Sequence, residues 1–81
     1  MNKLEILKQA LTARHAEVDE YQINIDNYTR AIAKIEAEHA DNPDMLEFRD
    51  KLAGLLKSSK TEQLKAIIIL DVIAEQVAEL E

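Results

Sequence analysis

From Leu4 onward, apolar residues recur in a seven-residue repeat that holds for five heptads. One position of the repeat is filled by Leu4, Leu11, Val18, Ile25 and Ile32 and closes on His39. The other is filled by Leu7, Arg14, Tyr21, Tyr28 and Ile35, where only Arg14 breaks the apolar series. A sustained pattern of this kind predicts one long helix with a coiled-coil-like seam. At 1.5 Å per residue the helix runs to roughly 55 Å. With one glycine, one proline and abundant Ala, Leu, Glu, Lys and Gln, little interrupts helix anywhere in the chain.

The first helix is expected to stop between His39 and Asn42. Asp41 or Asn42 is placed to cap a second helix, with Pro43 in its first turn, where a missing N–H costs nothing. Asp44 and Glu47 follow near the positive end of the new helix's dipole. A seam is then predicted through Met45, Phe48, Leu52, Leu55, Ser59, Gln63, Ala66, Leu70, Ile73, Val77 and Leu80. A short turn makes the two helices antiparallel neighbours. With the turn centred near Asp41 and Asn42, Ile25 faces Ser59, Tyr21 faces Gln63 and Val18 faces Ala66. The tyrosine hydroxyls would find partners over the polar middle of helix two, and Arg14 would come near Asp71. Ser59 and Glu62 spell a capping box just after Gly54, so a break near Ser58–Ser59 is the alternative. The fold class is therefore all-α. Its first form is a helical hairpin with helices over about 3–40 and 43–80, dimerising into a four-helix bundle. Its second form is a three-helix bundle. Either way the 81 residues make a single helical domain.

The stretch Leu64 to Val77, LKAIIILDVIAEQV, carries more apolar surface than one seam needs. Ala66, Leu70, Ile73 and Val77 line the stripe facing helix one. Leu64, Ile68 and Val72, spaced i, i+4, i+8, lie on another side, with Ile67 and Ile69 between. In the hairpin that second stripe is exposed, and a contiguous apolar patch marks an interface. A self-association face of Leu64, Ile67, Ile68 and Val72 is expected, the partner being a second copy. Ile6, Ala10 and Ala13 stand off the seam of helix one and are placed to contribute.

Composition narrows the function classes. No cysteine is present, which removes disulfides and thiolate metal sites. No apolar run approaches the ~20 residues of a membrane span, and the charged start MNKLEILKQAL does not read as a signal peptide. The cytoplasm is the expected location. The net charge of −6 disfavours direct binding to nucleic acid or anionic lipid and suits a basic protein surface.

Sites of chemistry are not expected. Ser58, Ser59 and Thr61 form the only hydroxyl cluster and have no histidine nearby in sequence to activate them. His15 and His39 stand about 36 Å apart on one straight helix. Asp41, Asn42, Asp44 and Glu47 lack the ligand alternation and glycine of a calcium loop and read as helix capping. The triplet Asn27-Tyr28-Thr29 falls within a helix and reads as chance. No catalytic, cofactor-binding or metal-binding residue is therefore named. Glu36, Glu38, Asp41, Asp44 and Glu47 gather at the hairpin tip, and Glu5, Asp19, Glu20 and Asp26 project from helix one. These nine acids are the expected partner-facing set. Glu75, Glu79 and Glu81 gather at the opposite end, and lysines and arginines interrupt every long acidic face.

Two local resemblances bear on function. Glu17 to Ile32, EVDEYQINIDNYTRAI, resembles stretches in short acidic helical accessory proteins of lambda-like bacteriophages. That resemblance implies a small regulator or inhibitor that works by binding a host or phage protein. Asp41 to Leu52, DNPDMLEFRDKL, is similar to the turn of type III secretion needle subunits, which are also short helical hairpins with an Asn-Pro turn. The strong apolar heptads from residue 4 depart from the needle pattern and would better suit a helical co-chaperone of such a system. The function expected is that of a protein-binding regulatory protein without catalysis. The alternative is a nucleic-acid mimic that inhibits a nucleic-acid-binding protein.

Overall fold

The computed structural model describes residues 1–81. Two helices, α1 (Lys3–Glu38) and α2 (Pro43–Leu80), pack side by side as an antiparallel hairpin of 59 × 16 × 14 Å. Each begins at an asparagine. The side-chain oxygen of Asn2 accepts the Glu5 amide at 2.9 Å, and that of Asn42 accepts those of Asp44 and Met45 at 3.0 and 3.3 Å. Such caps satisfy amides that have no partner within the helix. Pro43 occupies the first turn as expected. Helix α1 stops at Glu38, two residues short of the expectation, because His39 takes a non-helical conformation while its amide still bonds Ile35. The Asn42 amide then bonds the His39 carbonyl at 3.0 Å, and no residue of the turn needs positive φ.

Helix α2 runs unbroken through Ser58 and Ser59, so the hairpin holds and the three-helix alternative does not. The capping-box residues act only where a helix starts. Here Thr61 instead turns its hydroxyl back onto the Lys57 carbonyl at 3.1 Å, which leaves the helix intact.

The core is the seam between the helices. Ile25 and Ile35 of α1 and Leu52, Ala66 and Val77 of α2 are buried, and no side chain is wholly cut off from solvent. Every expected seam position of α1 is at least half-buried except Arg14 and His39. Gln63 fixes the register: its side-chain amide donates to the Val18 carbonyl at 3.3 Å and to Gln22 Oε1 at 2.9 Å. These residues flank Tyr21, the neighbour expected for Gln63.

The seam of α2 departs from expectation in its first half. It follows Met45, Arg49, Leu52, Leu56, Ser59, Gln63, Ala66, Leu70, Ile73 and Val77, while Phe48 and Leu55 are half-exposed on its flank. The steps alternate strictly between four and three residues, the period at which one line of a helix stays against a partner that winds gently round it. That phase, carried back from Ser59, reaches Leu56 and Arg49 rather than Leu55 and Phe48. Arg49 lays its aliphatic stem in the seam and carries its guanidinium out to Asp50 at 3.1 Å and Glu36 at 4.0 Å. Arg14 pairs with Glu17 one turn away and not with Asp71. The pair within one helix forms without restraining a second helix's side chain. The tyrosine hydroxyls also find no partner within the chain and reach solvent.

Candidate interaction surface

The outer side of α2 is where apolar side chains meet water. Leu64 and Ile68 are each 62% exposed, and Val72 is 46% exposed. Spaced four residues apart, they form one line along the helix, directed away from α1. Ile69, 47% exposed, stands one turn from Val72 and widens the patch. Its signal was legible in the unbroken run Ile67-Ile68-Ile69, yet it was not among the expected interface residues. Ile67 is half-buried against the flank of the hairpin and forms the edge of the patch rather than its centre.

Two neighbouring turns of α2 thus carry apolar residues on opposed sides. Ala66, Leu70 and Ile73 are covered by α1, whereas Leu64, Ile68 and Val72 are covered by nothing in this chain. On α1, Ile6 is 52% exposed, Ala13 is exposed and Ala10 is half-buried. By heptad position these three belong to the flank that Ile69 occupies, so the apolar surface continues round the open end of the hairpin.

The expected partner-facing acids, Glu5, Asp19, Glu20, Asp26, Glu36, Glu38, Asp41, Asp44 and Glu47, are all exposed. They do not act alike. Lys34 lies 3.7 Å from Glu38, Arg49 4.0 Å from Glu36, and Lys51 3.9 Å from Glu47. Asp26 accepts a hydrogen bond from Gln22 at 3.0 Å. Glu5, Asp19, Glu20, Asp41 and Asp44 have no ion-pair partner. Glu5, Asp19 and Asp26 share one heptad line on α1, while Glu20 lies on the other side of the outer face. The structure therefore brings three of the nine onto one line and gives a basic neighbour to three others.

No pocket opens on the hairpin, and no three acidic or histidine side chains come close enough to hold a metal ion. No helix is long and apolar enough to cross a membrane. Asn27 and Thr29 lie within α1, where the Thr29 hydroxyl donates to the Ile25 carbonyl at 2.7 Å. A scan against protein-family models finds no match to this chain, and comparisons with curated proteins and with solved structures find none either, so the phage-like and needle-like stretches gain no support from them.

Proposed function

We propose that this protein works by binding, through its surface, with the line Leu64–Ile68–Val72 as a docking face for a second copy and its acidic surfaces meeting a basic protein partner. The observation that carries the reading is the exposure of three large apolar side chains in register on the outside of a helix whose inner side is already covered. Burying them would return roughly 25 cal/mol for each Å² of apolar surface removed from water. The thinness of the hairpin supports the same reading, because a two-helix core leaves even its central residues in partial contact with solvent. Among the acids, Glu5, Asp19, Glu20, Asp41 and Asp44 are best placed for a basic partner, since no neighbouring cation neutralises them.

Imitation of a nucleic acid has less support. Lys34, Arg49 and Lys51 sit beside three of the acids that such a surface would use.

The reading is tested by Ile68→Glu. The substituted chain should keep its helicity by circular dichroism while its molar mass by light scattering falls from dimer to monomer. An unchanged mass would remove Ile68 from the interface and with it the role given to the line.

A further inference from the structure

The charges of α2 nearest Ile68 differ in sign on its two sides, Glu62 among the lysines excepted. Lys57, Lys60 and Lys65 precede it, and Asp71, Glu75 and Glu79 follow it. Lys65 is engaged with Glu62 at 2.9 Å, but Lys57, Lys60, Asp71, Glu75 and Glu79 have no ion-pair partner in the chain. On a helix of 3.6 residues per turn, Lys57, Glu75 and Glu79 point within about 20° of Ile68. An apolar centre thus stands between a basic block and an acidic block on one helical face.

Resting on the reading that this face docks a second copy, we infer that the two copies of α2 lie antiparallel, related by a two-fold axis beside Ile68. A two-fold interface brings one patch against itself with positions exchanged. Residues equally distant from position 68 then come to the same height. Leu64 meets Val72, each four positions away, since 68 − 64 = 72 − 68. Lys57 comes level with Glu79, each eleven positions away, since 68 − 57 = 79 − 68. The basic block of each copy lies along the acidic block of the other. Parallel docking would set Lys57 against Lys57, Glu75 against Glu75 and Glu79 against Glu79, and juxtaposed like charges oppose association.

The exposed area fits a missing neighbour of this size. A compact monomer of 9.2 kDa is expected to expose about 4,900 Å². This chain exposes 5870 Å², and the excess of roughly 970 Å² is of the order of the ~800 Å² that one partner gives to a standard interface. The antiparallel arrangement overlaps residues 56–80 of the two copies and leaves the hairpin tips projecting at opposite ends. With Pro43 twenty-five positions from Ile68, the assembly spans about 75 Å at 1.5 Å per residue, against 59 Å for one hairpin.

Because the chain has no cysteine, single cysteines report the orientation directly. Four samples are oxidised mildly and their disulfide-linked dimers compared: Ile68→Cys, Leu64→Cys, Val72→Cys, and an equal mixture of the last two. Ile68→Cys should cross-link, since it sits on the axis in either orientation. Leu64→Cys and Val72→Cys should each stay uncross-linked alone and join to one another in the mixture, because only then do their Cα atoms approach within the ~7 Å a disulfide allows. Cross-linking of Leu64→Cys with itself, without a mixed product, would overturn the antiparallel arrangement and leave self-association standing. Absence of cross-linking in all four, Ile68→Cys included, would overturn self-association through this face as well. The maximum dimension from small-angle scattering gives a second readout: about 75 Å supports the arrangement, and a dimer no longer than one hairpin contradicts it.

Discussion

The inner and outer faces of α2 between Gln63 and Ile73 both carry large apolar side chains, in opposite environments. Inward, Ala66, Leu70 and Ile73 meet α1; outward, Leu64, Ile68 and Val72 meet water. The inner residues continue a heptad that begins near the turn, whereas the outer ones appear only in this segment. The heptad matches the one long neighbour that the chain itself supplies, and the surplus has no counterpart within the chain. The difference teaches that the residues closing the hairpin and those left exposed on its outer face are separate sets, so that each can be altered alone.

Matched truncations break that comparison most sharply. Leu52→Ala opens a cavity on the inner face, where Leu52 is 6% exposed, and should cost about 2–3 kcal/mol by denaturant titration. That loss belongs to the hairpin itself and should persist at every protein concentration. Ile68→Ala on the outer face should leave the dilute hairpin nearly as stable, within about 0.5 kcal/mol. Its effect should appear as weaker association in concentrated samples. If both truncations behaved alike, the two faces would not be distinct in role.

Smaller changes sharpen the contrast. Asn42→Ala removes the side-chain oxygen that receives two amides at the head of α2 and should cost about 1 kcal/mol without altering assembly. Gly54→Ala lies on the outer face, two heptads before Ile68, where an added Cβ meets nothing within 4 Å. It should raise stability by about 0.5–1 kcal/mol through helix propensity alone. A loss of stability there would show that the docked region extends further toward the turn than residues 56–80.

Much of this fold was legible because its signals are local or strictly periodic. The run from Leu4 to Ile35 marks the face of α1 and its length to within two residues, and Asn42-Pro43 suits the start of a helix, where an Asn cap and a first-turn Pro are both favoured. The first half of the second seam departs from the hydrophobic pattern for a physical reason. Phe48 and Leu55 are apolar and one step from the true line, whereas Arg49 belongs to the seam by its stem and to solvent by its charge. Hydrophobicity alone ranks those residues the wrong way round, and phase decides. Arg14 pairs with Glu17 rather than Asp71 because a carboxylate one turn away on the same helix competes with one on another helix. The candidate surface was read in outline at Leu64, Ile68 and Val72. Of the two residues between the stripes, the expected face includes Ile67, which is half-buried, and omits Ile69, which is exposed, since exposure on a flank depends on how close the neighbouring helix lies.

The most direct test of the central claim is the molar mass of the unaltered protein by light scattering along a dilution series. The account predicts twice the chain mass of 9.2 kDa at high concentration, falling toward 9.2 kDa as the dimer dissociates on dilution. A mass fixed at 9.2 kDa throughout would contradict it, and the outer face of α2 would then be no meeting place for two copies of this chain.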